Sequence, residues 1–375
     1  MGSKSVSVRA VIARYVTLWP RNTFAVGARP TLGALENGGR GGAGRRFFSC
    51  TTASMPNERP VAKQTISLRS LLYHAIQAAE LGGLEVRAVR DSGDLGTRSK
   101  SICFNPVTLG DQRSHLAMKG TLKQAFPFLT VISEEDDHCL NSVVVELDAA
   151  NQVAPSCPPL AFRALVPADE VVSVRDVTVW IDPLDGTQEF TDGQYDYVTT
   201  MVGIAVKGKP VAGVIHLPFS AGETYWAWNG HGISPSLRSL KAHSREADQR
   251  SSQIIRLAMS KNPFRAGTIL RFARKAFEDQ EFELVPMGGA GYKFVQMLLG
   301  NVDAYLHVTR NIKKWDTCAG HGIVSSLHGR VTGLQGEEMD YTAPEDYKQD
   351  CSIQTGFIGA LRDHDSLLTG CRRAG

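Results

Sequence analysis

The sequence of 375 residues lacks a long apolar run, a cysteine motif and a strong charge imbalance. No window approaches 18 consecutive apolar residues, so we expect neither a transmembrane segment nor a membrane anchor. The seven cysteines are scattered, and none has the spacing of a zinc site or redox motif, which favours reduced thiols in a reducing compartment. The formal net charge of +3 gives no reason to expect a nucleic acid polymer as a partner.

Acidic residues are almost missing from the first 46 positions, where Glu36 is the only one. Residues 6–19 are compatible with a short amphipathic helix that has arginines on one side, and residues 46–49 resemble a processing region, as in an organelle transit peptide. We therefore predict that residues 1–55 lie outside the fold and direct the chain to mitochondria or another organelle. The alternative is a basic tail without a targeting role on a cytoplasmic protein. The basic residues of this segment are Lys4, Arg9, Arg14, Arg21, Arg29, Arg40, Arg45 and Arg46.

Helical and strand patterns alternate irregularly through the rest of the chain, without an internal repeat. This predicts an α+β or α/β layered sandwich in which helix and sheet layers alternate. We divide it into an N-terminal α+β lobe, residues 60–220, with most of the candidate metal ligands, and a C-terminal α/β lobe, residues 221–365, which completes the site. Helices are predicted over residues 63–82, 114–126, 266–277, 288–299 and 316–327. Strands are predicted over residues 129–132, 177–181, 198–206, 211–216, 254–259, 282–285 and 304–308, and residues 137–176 are predicted to be irregular.

The most informative motif is Asp182-Pro183-Leu184-Asp185-Gly186 at the end of a predicted strand. Pro183 fixes its own backbone angle and is expected to turn the chain, while Gly186 permits a conformation that a side chain would block. Two carboxylates and the Leu184 carbonyl can then converge on a hard cation, which prefers oxygen ligands. A polar turn closed by local hydrogen bonds is the alternative for this string taken alone.

Two further acidic positions, Glu134 after a strand and Asp316 at a helix start, favour the metal interpretation. Taken alone, Glu134 is typical of a solvated strand end and Asp316 of a helix cap. If the four carboxylates met without cations, each pair at ~4 Å would repel by roughly 4 kcal/mol at an effective dielectric constant of about 20. Two divalent cations would balance the four charges, which is the arrangement that two-metal phosphoryl chemistry uses.

Several further segments accompany this motif, namely residues 182–191, 197–202, 208–219, 288–293, 313–320 and 336–338. With them the chain resembles the lithium-sensitive, magnesium-dependent phosphatases related to inositol monophosphatase. Within that family it is most similar to the bisphosphate nucleotidases, above all the Golgi-resident adenosine 3′,5′-bisphosphate phosphatases. The resemblance covers about residues 63–359 and implies a layered sandwich of the sugar-phosphatase type.

The resemblance implies hydrolysis of the 3′-phosphate of adenosine 3′,5′-bisphosphate to AMP and phosphate, with a small phosphorylated nucleotide as substrate and two or three Mg²⁺ ions as cofactor. It implies in-line attack of water on phosphorus without a covalent phosphoenzyme, and Asp111 and Thr187 as the catalytic pair that orients and deprotonates this water. The implied metal ligands are Glu134, Asp182, Leu184 through its carbonyl, Asp185 and Asp316. The implied substrate-binding residues are Gly186, Thr187, Ser260, Lys261, Gly291, Lys293, His307 and Asp316.

Three of these positions also have a purely structural interpretation: Asp111 as a turn or cap residue, Lys293 as a surface lysine and His307 as a strand-end histidine. The chain departs from the bisphosphate nucleotidases after Met259, where they carry Ser-Arg-Ser-His and residues 260–263 here are Ser-Lys-Asn-Pro. The histidine is therefore missing from the implied nucleotide contact. An inositol phosphate phosphatase is the alternative function, and a non-catalytic nucleotide-binding relative is the third. The sequence leaves the oligomeric state open.

Overall fold

Strands and helices alternate in the computed structural model, which describes residues 64–99, 106–135, 157–244, 254–310, 312–345 and 351–375. The predicted targeting segment, residues 1–55, lies outside these ranges, as do residues 137–156 of the predicted irregular stretch. The strands in the described ranges are β1 (Thr65–Ser67), β2 (Arg98–Ser99), β3 (Pro106–Val107), β4 (Thr130–Ser133), β5 (Val171–Ser173), β6 (Val177–Asp185), β7 (Thr199–Val206), β8 (Lys209–Leu217), β9 (Glu223–Trp228), β10 (Gly232–Ile233), β11 (Ile254–Ser260), β12 (Glu281–Met287), β13 (Ala304–His307), β14 (Arg330–Gly333) and β15 (Phe357–Ala360). The α-helices there are α1 (Leu68–Ser92), α2 (Leu109–Ala125), α3 (Leu160–Leu165), α4 (Thr187–Thr191), α5 (Pro235–Ser244), α6 (Pro263–Ala276), α7 (Ala290–Leu298), α8 (Lys314–Ser326) and α9 (His364–Ala374).

The first long helix, α1, begins and ends at caps that its own sequence supplies. The Ser67 hydroxyl accepts a hydrogen bond from the amide three residues later at 3.0 Å, and Gly93 ends the helix with a φ of 75°. The prediction that Gly82 and Gly83 end this helix is wrong, because both lie inside it. A β-carbon at Gly82 would lie 2.6 Å from Ser114 Oγ on α2, so glycine there allows the two helices to pack closely.

Six strands form a mixed sheet in the order β10-β9-β8-β7-β6-β4. Neighbours are antiparallel except for β4 and β6, which run parallel. Helices α1 and α2 pack against one face of this sheet, and α8 packs against the other. A β-carbon at Gly213 in β8 would lie 1.9 Å from the Ala319 carbonyl oxygen on α8. The close contact between this helix and the sheet therefore requires glycine.

Five strands form a second sheet in the order β12-β11-β13-β15-β14. Strands β12, β11 and β13 run parallel, so their carboxyl ends meet at one edge, while β15 is antiparallel to both of its neighbours. Ligands of sheets built this way commonly bind outside the carboxyl ends of the parallel strands. The loops that follow these three strands are therefore the ones to inspect for a binding crevice.

Helix and sheet layers alternate through the described chain. The layers are α1 with α2, the six-stranded sheet, α7 with α8, the five-stranded sheet, and α6 with α9. One large buried apolar cluster joins α1 and α2 to the six-stranded sheet, a second joins both sheets to the α7–α8 layer, and a third joins the five-stranded sheet to the outer pair α6 and α9. This arrangement confirms the predicted layered sandwich. The division into two lobes at residue 220 stays a prediction, and strands β9 and β10 beyond it belong to the first sheet.

The predicted elements are present, with boundaries that tertiary contacts move. Helix α2 begins at Leu109, five residues before the predicted start, because Thr108 caps it. Strand β6 continues to Asp185, four residues beyond the predicted end. Strand β1 lies within the segment predicted to be the first helix, and α3 and β5 lie within the stretch predicted to be irregular. The elements that the sequence did not predict are β2, β3, β9, β10, β14, β15, α4, α5 and α9. None of the helices in the described ranges is long and apolar enough to cross a bilayer.

Candidate active site

The end of β6 carries two aspartates into the site. The expected turn at Pro183 does not occur, because β6 continues through it and the pairing with β7 shifts in register between Asp182 and Asp185. Strand β4 has already stopped pairing with β6 before Pro183, so the missing N–H costs no hydrogen bond on that side. The turn follows at Gly186, whose φ of 84° is in the left-handed region that favours glycine.

Three carboxyl groups from three elements meet beside this bulge. Glu134 directly follows β4, and its amide donates to the Ile181 carbonyl of β6 at 3.1 Å. Asp182 is buried in β6, and Asp316 lies in the first turn of α8. One oxygen of each of Glu134, Asp182 and Asp316 lies within 4.8 Å of the others. The structure thus brings together three residues that lie far apart in the sequence.

Burial of these carboxyl groups and the repulsion between them favour their protonated forms. Two carboxylates at this separation repel by about 3 kcal/mol at an effective dielectric constant of about 20. Burial, followed by the charge of Glu134, raises the pKa of Asp182 well above its usual value and that of Asp316 to about 7. The side chains of Asp182 and Asp316 also hydrogen bond to each other. A set of oxygen donors with excess negative charge fits a hard divalent cation such as Mg²⁺, which would take the place of these protons.

Asp185 lies beside this acidic group and contacts the start of α7. Its two carboxylate oxygens accept hydrogen bonds from the amides of Ala290 and Gly291, each at 2.8 Å, and Thr199 Oγ1 lies 3.0 Å away. Burial raises the pKa of Asp185, and the hydrogen bond from Ala290 opposes that rise. The Gly291 amide is therefore directed at Asp185. The predicted roles of Asp185 as a metal ligand and of Gly291 in substrate binding stay predictions.

Asp111 and Thr187, the predicted catalytic pair, are in contact. Thr187 Oγ1 lies 3.0 Å from Asp111 Oδ1 and 3.0 Å from the Leu184 carbonyl oxygen, and its single hydrogen can go to only one of them at a time. The other carboxylate oxygen of Asp111 accepts from the amide and hydroxyl of Thr108 at 2.7 and 2.6 Å, which closes the capping box of α2. Burial, then the charge of Glu135, raises the pKa of Asp111 to about 7.

The predicted substrate-binding residues of the second sheet lie at its carboxyl edge. Ser260 ends β11 and His307 ends β13. Lys261 Nζ lies 3.2 Å from Glu189 Oε1 and 5.0 Å from the centre of the Tyr197 ring. These contacts place the loop after β11 next to α4, which directly follows the aspartate motif. The metal side and the sheet-edge side of the site therefore adjoin.

Lys293 and His307 are both buried, with exposed fractions of 5% and 6%. Lys293 Nζ donates to the carbonyls of Gly288, at 3.2 Å, and Gly289, so the interpretation as a surface lysine is wrong. The His307 ring stacks on Phe357 with 5.8 Å between ring centres, and its Nε2 lies 2.9 Å from Thr309 Oγ1. These contacts give His307 a structural role, and its predicted contact with substrate stays a prediction.

Comparison with known proteins identifies the family. A model of the inositol monophosphatase family matches residues 67–365. The chain belongs to the inositol monophosphatase family. It is 40% identical over 308 residues to the putative inositol monophosphatase 3 of Drosophila melanogaster, and the match covers 81% of each chain. It is 38% identical over 315 residues to the Golgi-resident adenosine 3′,5′-bisphosphate 3′-phosphatase of Rattus norvegicus, again with 81% of each chain covered.

Solved structures of inositol monophosphatase relatives share this fold. The extragenic suppressor protein suhB from Bartonella henselae matches with a TM-score of 0.54 and 20% identity, covering 81% of this chain and 99% of that one. CysQ from Bacteroides thetaiotaomicron, described as a bacterial member of the inositol monophosphatase family, matches with a TM-score of 0.51 and 22% identity, covering 79% and 98%. These likenesses show the fold, and the family shows that the chain is a phosphatase.

Sequence reasoning did not assign roles to three residues of this inositol monophosphatase-family site. Glu135 is buried and acts on the pKa of Asp111, Glu189 pairs with Lys261, and Thr199 contacts Asp185. Glu135 and Glu189 lie inside or next to the recognised motifs, so their acidity was a visible signal. The role of Thr199 depends on how β7 pairs across the bulge of β6, which no local pattern reveals.

Proposed function

We propose that the chain is a magnesium-dependent phosphomonoesterase that hydrolyses the 3′-phosphate of adenosine 3′,5′-bisphosphate to AMP and phosphate. The observation that carries this proposal is the contact of Thr187 with Asp111 at 3.0 Å, next to the group formed by Glu134, Asp182 and Asp316. A proton-accepting pair beside a cation-binding group is what attack of water on a phosphate ester requires.

In this proposal the acidic group holds Mg²⁺, which would supply positive charge to a phosphate ester and favour ionisation of water. The Thr187 hydroxyl orients the attacking water, passes its own proton to Asp111 and takes one from the water. Burial raises the pKa of Asp111 to about 7, so its carboxylate accepts a proton readily near neutral pH. The water oxygen forms a new bond to phosphorus, the P–O bond to the 3′-oxygen breaks, and the 3′-oxygen takes up a proton from solvent.

The choice of a nucleotide is supported by the name of the rat relative and by the cationic side chains of Lys261 and Lys293, which follow the carboxyl ends of β11 and β12. The second candidate substrate is an inositol phosphate. It is supported by the relative named putative inositol monophosphatase 3, which is 40% identical, and by residues 260–263, which depart from the nucleotidase pattern.

A phosphate-release panel tests both candidates. The purified protein is given adenosine 3′,5′-bisphosphate and inositol 1-phosphate at equal concentration, with Mg²⁺, with a chelator, and with Mg²⁺ plus lithium. We expect preferred release from the nucleotide, no release with the chelator, and inhibition by lithium in the millimolar range. Preference for the inositol compound would replace the first candidate with the second, and binding of the nucleotide without turnover would support a non-catalytic relative.

We further propose that residues 1–55 direct the chain to an organelle, with mitochondria as the first candidate. The support is the basic, acid-poor composition of this segment. The rat relative is named as Golgi-resident, so the Golgi is the competing destination. Residues 1–55 fused to a fluorescent reporter, compared with the full chain, would distinguish these compartments, and a diffuse cytoplasmic signal from both would contradict targeting.

A further inference from the structure

Within six residues after the carboxyl ends of β11 and β12 lie three cationic side chains, and two of them have partners among the described residues. Lys261 forms an ion pair with Glu189 at 3.2 Å. Lys293 donates to the two carbonyls that precede α7. The third is Arg265, whose guanidinium makes no hydrogen bond or ion pair with a residue that the structure describes. Arg265 is partly buried as a residue, and its guanidinium nitrogens are not among the buried unpaired atoms of the described residues, so the guanidinium is accessible to a ligand.

Arg265 lies on the inward face of α6. The helix begins at the Asn262 cap, whose side-chain oxygen accepts from the Phe264 amide at 3.0 Å. Ile269 and Ala273, four and eight residues after Arg265, are buried against the five-stranded sheet, with exposed fractions of 2% and 0%. Residues four apart share a helix face. Arg265 therefore continues the buried stripe to the first turn of α6, which follows the carboxyl end of β11.

The charge of Arg265 acts on groups inside the site. Burial is the main reason that the pKa of Lys293 is lowered to about 8, and Arg265 shifts it in the same direction. Burial raises the pKa of Tyr305 on β13, and Arg265 opposes that rise. The same two groups also respond to the charges of Asp185 and Asp316. Arg265 is therefore close enough to Lys293 and Tyr305 for its charge to act on both.

We propose that Arg265 binds the second, non-scissile phosphate of the substrate and so determines a preference for a bisphosphate over a monophosphate. This inference rests on the proposed hydrolysis of a bisphosphorylated small molecule. A guanidinium is planar, and its paired N–H donors match two oxygens of one phosphate. Lys261 and Lys293 are held by other groups, whereas Arg265 can contact a ligand without losing a partner.

The test compares kcat/KM for adenosine 3′,5′-bisphosphate with kcat/KM for adenosine 3′-monophosphate. In Arg265→Gln we expect the value for the bisphosphate to fall by about tenfold to a hundredfold, as for loss of a charge-assisted phosphate contact. The change should be in KM, with kcat nearly constant, and turnover of the monophosphate should be unaffected. Arg265→Lys should restore part of the preference. Arg271→Gln is the matched control, because it removes the same charge from an exposed position on the same helix.

The possible outcomes separate this inference from the proposed function. If the wild type hydrolyses the bisphosphate nucleotide and Arg265→Gln keeps its preference, the inference is wrong and the proposed function stands. If the wild type does not hydrolyse the nucleotide, the proposed function is wrong, and the same ratio is measured with inositol 1,4-bisphosphate and inositol 1-phosphate. A wild type without a preference for the second phosphate in either pair overturns the role of Arg265. Equal melting temperatures of the variants exclude misfolding as the cause.

Discussion

At the level of the single residue, Asp111 uses its two carboxylate oxygens for separate contacts. One carboxylate oxygen caps α2 through Thr108, and the other contacts the Thr187 hydroxyl. The helix cap fixes the orientation of the carboxylate, so that its second oxygen is held against the Thr187 hydroxyl. The structural interpretation of Asp111 and the interpretation implied by the resemblance are therefore both compatible with its contacts.

Replacing the Thr187 hydroxyl should reduce turnover without unfolding the chain. Thr187→Val keeps the shape of the side chain and removes the group that contacts Asp111, so we expect kcat to fall by about a hundredfold or more. Thr191→Val is the control, because its hydroxyl contacts only Gln188 within the same short helix. Steady-state kinetics with Mg²⁺ measures the effect, and similar turnover in the two variants would contradict the role of Thr187.

His216 makes the stability of the chain depend on pH. Burial, followed by the charge of Arg87, lowers the pKa of His216 to about 4. Between pH 6.5 and 4 the unfolded chain binds a proton that the folded chain does not, so the free energy of unfolding falls as pH falls through this window. The expected loss is about 2 kcal/mol at about pH 5. Urea unfolding of wild type and His216→Gln at about pH 7.5 and about pH 5 measures it.

The stability difference between wild type and His216→Gln should shrink by about that amount on acidification. His328→Gln serves as the control, because His328 is exposed. A constant difference between wild type and His216→Gln across the two pH values would show that His216 is not the titrating group.

At the level of the element, the contact of α8 with the six-stranded sheet determines where Asp316 lies. Glycines on β7 and β8 face Cys318 and Ala319, which follow Asp316 by two and three residues. The backbone of the helix thus rests almost directly on the sheet. A shift of α8 away from β8 would carry Asp316 away from Asp182.

A single added methyl group at Gly213 should therefore damage both fold and site. In Gly213→Ala the new β-carbon would lie 1.9 Å from the Ala319 carbonyl oxygen, so we expect a destabilisation of about 3 kcal/mol or more. Gly120→Ala in α2 is the control, because no described atom outside the neighbouring residues and the backbone of the helix lies within 4 Å of the new methyl group. Helix propensity predicts a gain of up to about 1 kcal/mol for this variant. Denaturant unfolding of both variants tests the contrast, which equal stabilities would refute.

The sequence predicted the elements whose signals are local and missed those that depend on distant partners. The periodic helices and the strand before Asp182 were found, because apolar spacing and branched residues mark them. The end of α1 was misplaced, because Gly82 serves packing against α2 and not termination. Strands β14 and β15 are only four residues long and acquire their pairing from β13 and from each other. The sequence analysis found β4 and β13, which are equally short, but no local pattern marked β14 and β15.

The same difference between local signals and contacts with distant residues applies to the prediction of the site. The motif around Asp182 and Asp185 left a polar turn open, and the further acidic positions Glu134 and Asp316 favoured a metal site. Arg265 was not singled out, because its position depends on where α6 meets the edge of the second sheet.

At the level of the whole molecule, the acidic group joins different layers of the sandwich. Glu134 and Asp182 belong to the six-stranded sheet, and Asp316 belongs to the helix layer between the two sheets. A cation bound by all three would link these layers. Cation binding should therefore be visible in global unfolding.

Adding Mg²⁺ to chelator-treated protein should raise the free energy of unfolding by about 2 to 3 kcal/mol when Mg²⁺ exceeds its Kd roughly a hundredfold. In Asp316→Asn this gain should be largely lost, while stability without Mg²⁺ should rise, because one of the repelling carboxyl groups is gone. Asp192→Asn, at an exposed position, is the control. Thermal unfolding with and without Mg²⁺ tests this prediction. If Mg²⁺ stabilised Asp316→Asn as much as the wild type, the result would contradict this metal site.

Two acidic residues of the site also cap helices. Asp111 accepts a hydrogen bond from the Thr108 amide at 2.7 Å, and Asp316 accepts one from the Lys313 amide at 2.8 Å. Alanine at either position would remove a helix cap together with the carboxylate of the proposed mechanism. Asparagine removes the charge but keeps an oxygen that can accept from the amide. Asp111→Asn is therefore the variant that we expect to fold stably and to bind substrate without hydrolysing it.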